Sequence, residues 1–115
     1  MKAHDMFKGL ADPTRLRIVA LLARRELCVC EIMEILRLPQ STTSRHMARL
    51  KLAGIVQDRR QGKWVHYSLS KGSHGQNGCF SDNIRRFLAK ELVNDEPHRS
   101  DLRKLETYLV KERCP

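Results

Sequence analysis

Apolar residues along the chain first recur at the spacing of a helical face in residues 3–11, where Met6, Phe7, Leu10 and Ala11 fall together. "DPT" at Asp12 to Thr14 then reads as a helix start, with Asp12 as N-cap and Pro13 in the first turn. The helix this predicts, to about Arg24, is apolar on most faces through Leu16, Ile18, Val19, Leu21 and Leu22, and so belongs at the centre of the fold. A short helix from about Val29 to Arg37 turns Val29, Ile32, Ile35 and Leu36 inward. After the turn "LPQS", a second helix from about Ser41 to Ala53 buries Thr43, Met47 and Leu50 and stops at Gly54. Two short helices joined by a tight turn make a helix-turn-helix, here over about 29–53.

From Ile55 to Ser70 the period changes to two. Val65, Tyr67 and Leu69 alternate with Trp64, His66 and Ser68, and "QG" divides the halves, so a two-stranded hairpin is expected over about 55–70. "KGSHGQNG" at Lys71 to Gly78 reads as a flexible connector. Helices follow over about 81–93, with Ile84, Phe87, Leu88 and Leu92, and over about 99–112, with Leu102, Leu105 and Leu109, separated by Pro97. The 115 residues predict one domain of mainly α, α+β class: a winged helix-turn-helix with the hairpin as wing.

The net charge of +9 favours a polyanionic partner, nucleic acid before an anionic membrane surface. No segment approaches the ~20 apolar residues that cross a bilayer, and no signal-peptide pattern is present. The chain therefore reads as cytoplasmic, where thiols stay reduced and tend to bind metals or react.

The outward groups at the start of the second helix are Gln40, Ser41, Thr42, Ser44 and Arg45, short or amide-bearing side chains with one guanidinium. Such groups suit phosphates and major-groove base edges. Arg45 is the expected base contact, and Ser41, Thr42 and Ser44 phosphate or mixed contacts, with the reading face running on to Arg49. His46 either touches the backbone or braces the helix against a neighbour. Arg59, Arg60 and Lys63 around Gly62 give the wing salt-sensitive contacts that add affinity rather than sequence choice. One reading helix covers few base pairs, so a symmetric homodimer on an inverted repeat is expected. Met6, Phe7, Leu10, Leu102, Leu105 and Leu109 are the candidate dimer surface, although both stripes could instead serve the core.

"ELCVCEI" at Glu26 to Ile32 sets two thiols one residue apart at a helix start. At ~100° per residue, i and i+2 diverge within a helix but share a side in extended backbone. One ion held by both Cys28 and Cys30 therefore requires the first helical turn to be absent or to melt. That turn reads as weakly held, because "CVCE" is a capping box with sulfur in place of a hydroxyl. The helix N-terminus, with Arg24 and Arg25, is expected to lower the thiol pKa against the opposition of Glu26 and Glu31. Small apolar filling is the plainer role for a cysteine, and helical phase leaves it to at most one of the pair.

"ELCVCEI", "LPQSTTSRHMARLKLAGIV" and "GKWVHYSL" together resemble the ArsR/SmtB family of metalloregulatory repressors over about residues 6–69. Within it, Cys-Val-Cys at this helix resembles the arsenical-resistance operon repressors. That resemblance implies a dimer that binds double-stranded operator DNA and releases it when trivalent arsenic or antimony binds the thiolates, with no resident cofactor. Close arsenic sensors have a third cysteine where this chain has Met33, so the third ligand would be Cys79, Cys114, a small cellular thiol or hydroxide. The family's zinc sites use carboxylates and imidazoles on the last helix, and Arg99 to Glu112 has no histidine. Other readings use the same residues differently: a redox or persulfide sensor, a zinc sensor, or a scaffold that binds protein or RNA. A thiol enzyme is disfavoured, since there is no Cys-x-x-Cys, nucleophile–base set or Gly-rich phosphate loop.

Overall fold

Residues 3–70 and 82–110 are described in the computed structural model of the protein. Helix α1 (Ala3–Leu10) leads into α2 (Pro13–Leu22), β1 (Leu27–Cys28), α3 (Val29–Leu36) and α4 (Gln40–Leu52). Strands β2 (Val56–Gln61) and β3 (Trp64–Leu69) follow, then α5 (Asp82–Glu91), a 3-10 turn (Leu92–Asn94) and α6 (His98–Val110). The expected connector at Lys71 to Gly78 lies outside the described residues.

The local chemistry explains the helix ends. Asp12 caps α2 through Oδ1, which accepts from the Thr14 and Arg15 amides at 2.8 and 3.1 Å. Helix α4 closes in a Schellman motif: Gly54, at φ 77°, donates to the Lys51 carbonyl, and Ile55 donates to the Leu50 carbonyl at 2.9 Å. Helix α3 ends less comfortably, because Arg37 takes the left-handed conformation at φ 55°, a place where glycine is at ease.

The sheet departs from expectation. It has three strands in the order β1-β3-β2, not two. The hairpin turns at Gly62 and Lys63, with Gly62 at φ 63° as the first residue of a two-residue turn. Strand β1 adds to its other edge, with Leu27 opposite Tyr67 and Cys28 opposite His66. Two residues are too few to leave an alternation in the sequence.

The core gathers around α2, where Ile18, Val19 and Leu21 are fully buried, and draws in Leu27, Ile32, Met47, Leu50 and Ile55. Helix α6 is fastened to α2 by Arg17, whose Nε and Nη2 donate to the buried Asp101 carboxylate at 2.8 and 2.9 Å. Leu102 and Leu105, expected on a partner-facing stripe, are only 7% and 3% exposed and belong to the chain's own core. The sequence shows that α6 has an apolar stripe but not which neighbour covers it. The described residues contain no helix long and apolar enough to cross a membrane.

Candidate thiol site and DNA-binding face

Cys28 and Cys30 straddle the junction of β1 and α3. Cys28 is the N-cap, in extended backbone at φ −85° and ψ 164°, and Cys30 lies in the first turn. The two sulfurs stand 2.7 Å apart. The sulfurs thus converge with the first turn of α3 wound, where the expectation was that this turn must be absent or melt for both to hold one ion. The divergence of i and i+2 applies only when both are helical, and Cys28 belongs to the strand. Two sulfurs sharing a tetrahedral ion with bonds of ~2.3 Å would stand about 3.8 Å apart.

The capping box is formed, with the Cys28 amide donating to Glu31 Oε1 at 2.8 Å in the interior. Cys28 is 1% exposed, and burial pushes its thiol pKa above the ordinary value. The Glu31 and Cys30 amides pull it down and the Glu31 carboxylate pushes it up, leaving the net shift upward. The expected lowering by Arg24 and Arg25 is therefore overturned: Arg24 is exposed, and Arg25 Nε turns to the Glu26 carbonyl at 3.3 Å.

From α6, Tyr108 reaches this corner. Burial, a hydrogen bond with Glu34, and the charges of Glu34, Glu31 and Cys28 push its phenol up to about 12. Met33 is half-buried, and Cys79 and Cys114 lie outside the described residues. Helix α6 starts one residue earlier than expected and so includes a histidine, the buried His98. Among the described residues no group of three or more His, Cys, Asp or Glu side chains is arranged to hold a metal ion.

On α4, Gln40, Ser41, Ser44, Arg45 and Arg49 are exposed and Thr42 is half-buried, while Thr43, Met47 and Leu50 face inward. The N-cap is Pro39, and no side chain caps the helix, so its first amides are open to an anion. His46 is half-buried beside Asp12, with Nδ1 enclosed and unpartnered; burial holds its imidazole below the ordinary value. Those features suit bracing against α2 better than a charged backbone contact.

The wing extends beside this face. Arg60 and Lys63 are exposed, the Lys63 ammonium lying 5.6 Å from the Trp64 ring centroid. Arg59 is engaged: Nη2 and Nε donate to Glu26 at 2.7 and 3.3 Å, and Nη1 to Gln61 at 3.1 Å. Asp58 accepts from Lys51 at 2.9 Å, tying wing to reading helix.

Three large apolar side chains are exposed among the described residues: Phe7 at 64%, Phe87 at 60% and Leu52 at 90%. Phe7 was expected at a dimer surface; Phe87 was read only as part of a helix. Its neighbour Leu88 is buried, and one step of ~100° turns Phe87 away from the core. Leu10 is half-buried against the core, and the side chains of Met6 and Leu109 lie outside the described residues.

The family model for bacterial regulatory proteins of the arsR family matches residues 12–58. The chain is 55% identical over 65 residues to the arsenic resistance transcriptional regulator ArsR1 of Pseudomonas putida, covering 56% of this chain and 51% of that protein. It is 54% identical over 67 residues to the arsenical resistance operon repressor of Escherichia coli, covering 57% of each. The chain thus spans little more than half the length of these relatives. Among solved structures, reduced HlyU from Vibrio cholerae superposes with a TM-score of 0.63 at 32% identity, over 79% of this chain and 83% of that one. These relatives and this fold are those of transcription regulators rather than enzymes. From the motif at Cys28–Cys30 through the reading helix to the wing, the chain belongs to the arsR family of winged-helix regulators.

Proposed function

We propose that this chain is a homodimeric transcriptional repressor that holds operator DNA with α4 and the wing and releases it when trivalent arsenic or antimony binds Cys28 and Cys30. The observation that carries the reading is the convergence of the two sulfurs, 2.7 Å apart, at the start of the helix that supports α4. The names of the two aligned relatives support an arsenic-type inducer.

The chemistry of the pair fits a metalloid hydroxide better than a hard cation. Soft sulfur disfavours magnesium, calcium and manganese. A raised thiol pKa penalises a divalent metal, which must expel a proton for each thiolate it gains. Arsenous acid brings its own proton acceptor: where As–OH is exchanged for As–S at Cys28, the thiol proton leaves as water, so that bond forms with no net proton release. The third position falls to Cys79, Cys114, a small thiol or retained hydroxide. Cys114 is six residues beyond Tyr108, a span of at most ~21 Å from a side chain already at the thiol corner.

The DNA contacts in this reading are Gln40, Ser41, Thr42, Ser44, Arg45 and Arg49 from the reading helix and Arg59, Arg60 and Lys63 from the wing. His46 braces that helix. A second copy covers Phe7 and Phe87, which gives two reading helices for two half-sites about one DNA turn apart.

Two readouts test the reading. Rounds of selection from a random duplex pool are expected to enrich an inverted repeat; affinity indifferent to sequence contradicts operator binding. Arsenic-edge absorption on the reduced protein is expected to count at least two sulfurs on one bound arsenic, with binding lost in Cys28→Ser/Cys30→Ser. Arsenic bound equally by that variant would contradict the site.

The short sulfur separation also favours a second reading, in which peroxide oxidises the pair to a disulfide and is itself reduced to water. Peroxide that releases DNA where arsenite does not would select it.

A further inference from the structure

The wing arginine nearest the thiol strand is not free for DNA. Arg59 is gripped by Glu26, which precedes β1 and lies two residues from Cys28. Residues i and i+2 of an extended segment share a side, so Glu26 and Cys28 project together. Across the sheet, Cys28 is opposite His66, and His66 is in turn opposite Arg59. One transverse row therefore runs from thiol to wing arginine, with its side chains on a common face.

The strand that carries Cys28 buries Leu27 in the core but holds to the sheet through a short ladder. Strand β1 has two residues and pairs only at Leu27–Tyr67 and Cys28–His66. A pair of sulfurs that opens to accept an ion would displace this short strand more readily than the body of α3. Glu26 is the first charged group to move with it.

Resting on the function proposed above, we propose that Glu26 is a positioning residue that competes with DNA phosphate for Arg59, and that occupancy of the thiol pair reaches the wing by changing this competition. A carboxylate and a phosphate oxygen make the same paired hydrogen bonds to a guanidinium, so the two are exclusive partners for one arginine. The pair is about half exposed, which makes it weak enough to exchange. In the DNA-bound state Arg59 has crossed to a phosphate, and metalloid binding returns it to Glu26. The neighbouring Asp58–Lys51 pair keeps wing and reading helix together as this happens.

The test is a double-mutant cycle on operator affinity with Glu26→Gln, Arg59→Gln and the pair combined, using the duplex selected by the wild-type protein, with and without arsenite. Without arsenite, Glu26→Gln is expected to tighten binding about 3- to 10-fold, and to change it less than 2-fold when Arg59 is already Gln. With arsenite, Glu26→Gln is expected to bind arsenic as wild type does but to lose at least 5-fold of the arsenite-dependent drop in affinity. Equal tightening in both backgrounds would mean that Glu26 acts only as a general negative charge, which overturns the competition. An unchanged drop in Glu26→Gln would overturn the relay. A wild-type protein indifferent to arsenite would sink the metalloid reading and this relay with it, while the arsenite-free cycle still decides whether Glu26 and Arg59 compete.

Discussion

Cys28 combines two properties: its sulfur stands 2.7 Å from that of Cys30, yet it is buried and its thiol pKa is raised by that burial. A thiol of this kind should react slowly with an anion-seeking alkylating agent. Iodoacetamide at pH 7.5 is expected to modify Cys28 at least tenfold more slowly than a free small thiol, as read by peptide mass spectrometry; equal rates would contradict the raised pKa and the burial. Tyr108 gives a pH window. Its folded pKa of about 12 exceeds the ordinary 10.0, so the stability linked to its proton is intact below pH 10 and is lost as pH rises toward 12. Urea midpoints should fall over that window, and fall less in Tyr108→Phe. That variant should itself cost ~1 kcal/mol at pH 7 through the lost Glu34 hydrogen bond.

At the scale of elements, the sequence was most readable where local chemistry decides. Asp12-Pro13 marks the start of α2, Gly54 ends α4, and the alternation from Trp64 to Leu69 gives β3. It was least readable where a distant neighbour decides. Strand β1 exists because β3 offers an edge, and that edge turns Cys28 out of the helix and lets the sulfurs meet. The capping box at Cys28 was visible, whereas the burial that raises its pKa comes from packing and leaves no local mark. Two substitutions probe element ends and joints. Arg37→Gly relieves a left-handed side-chain-bearing residue and is expected to stabilise the protein by about 0.5–1 kcal/mol in denaturant unfolding; a loss of stability would contradict strain at that cap. Arg17→Ala leaves the buried Asp101 carboxylate uncompensated between α2 and α6, and should cost about 3 kcal/mol.

In the whole molecule, the thiol corner, the wing and the reading helix form one connected unit. β1 joins Cys28 to β3, Glu26 holds Arg59, and Asp58 holds Lys51. Core-facing and partner-facing stripes are identical in sequence, which left both roles open for the α6 stripe; Leu102 and Leu105 are buried in the chain's own core, and Phe87 is exposed. If a second copy covers Phe7 and Phe87, Phe87→Glu should shift the sedimentation mass toward that of one chain and weaken operator binding at least tenfold. Retention of the full dimer mass would exclude Phe87 from the interface. The most direct measurement is an arsenite titration of the preformed complex with the selected operator duplex, followed by fluorescence anisotropy, for wild type and Cys28→Ser/Cys30→Ser. Wild type is expected to lose operator affinity by about 5- to 150-fold while the serine variant stays bound. Release of the serine variant at the same arsenite concentration would contradict the role given to the two sulfurs.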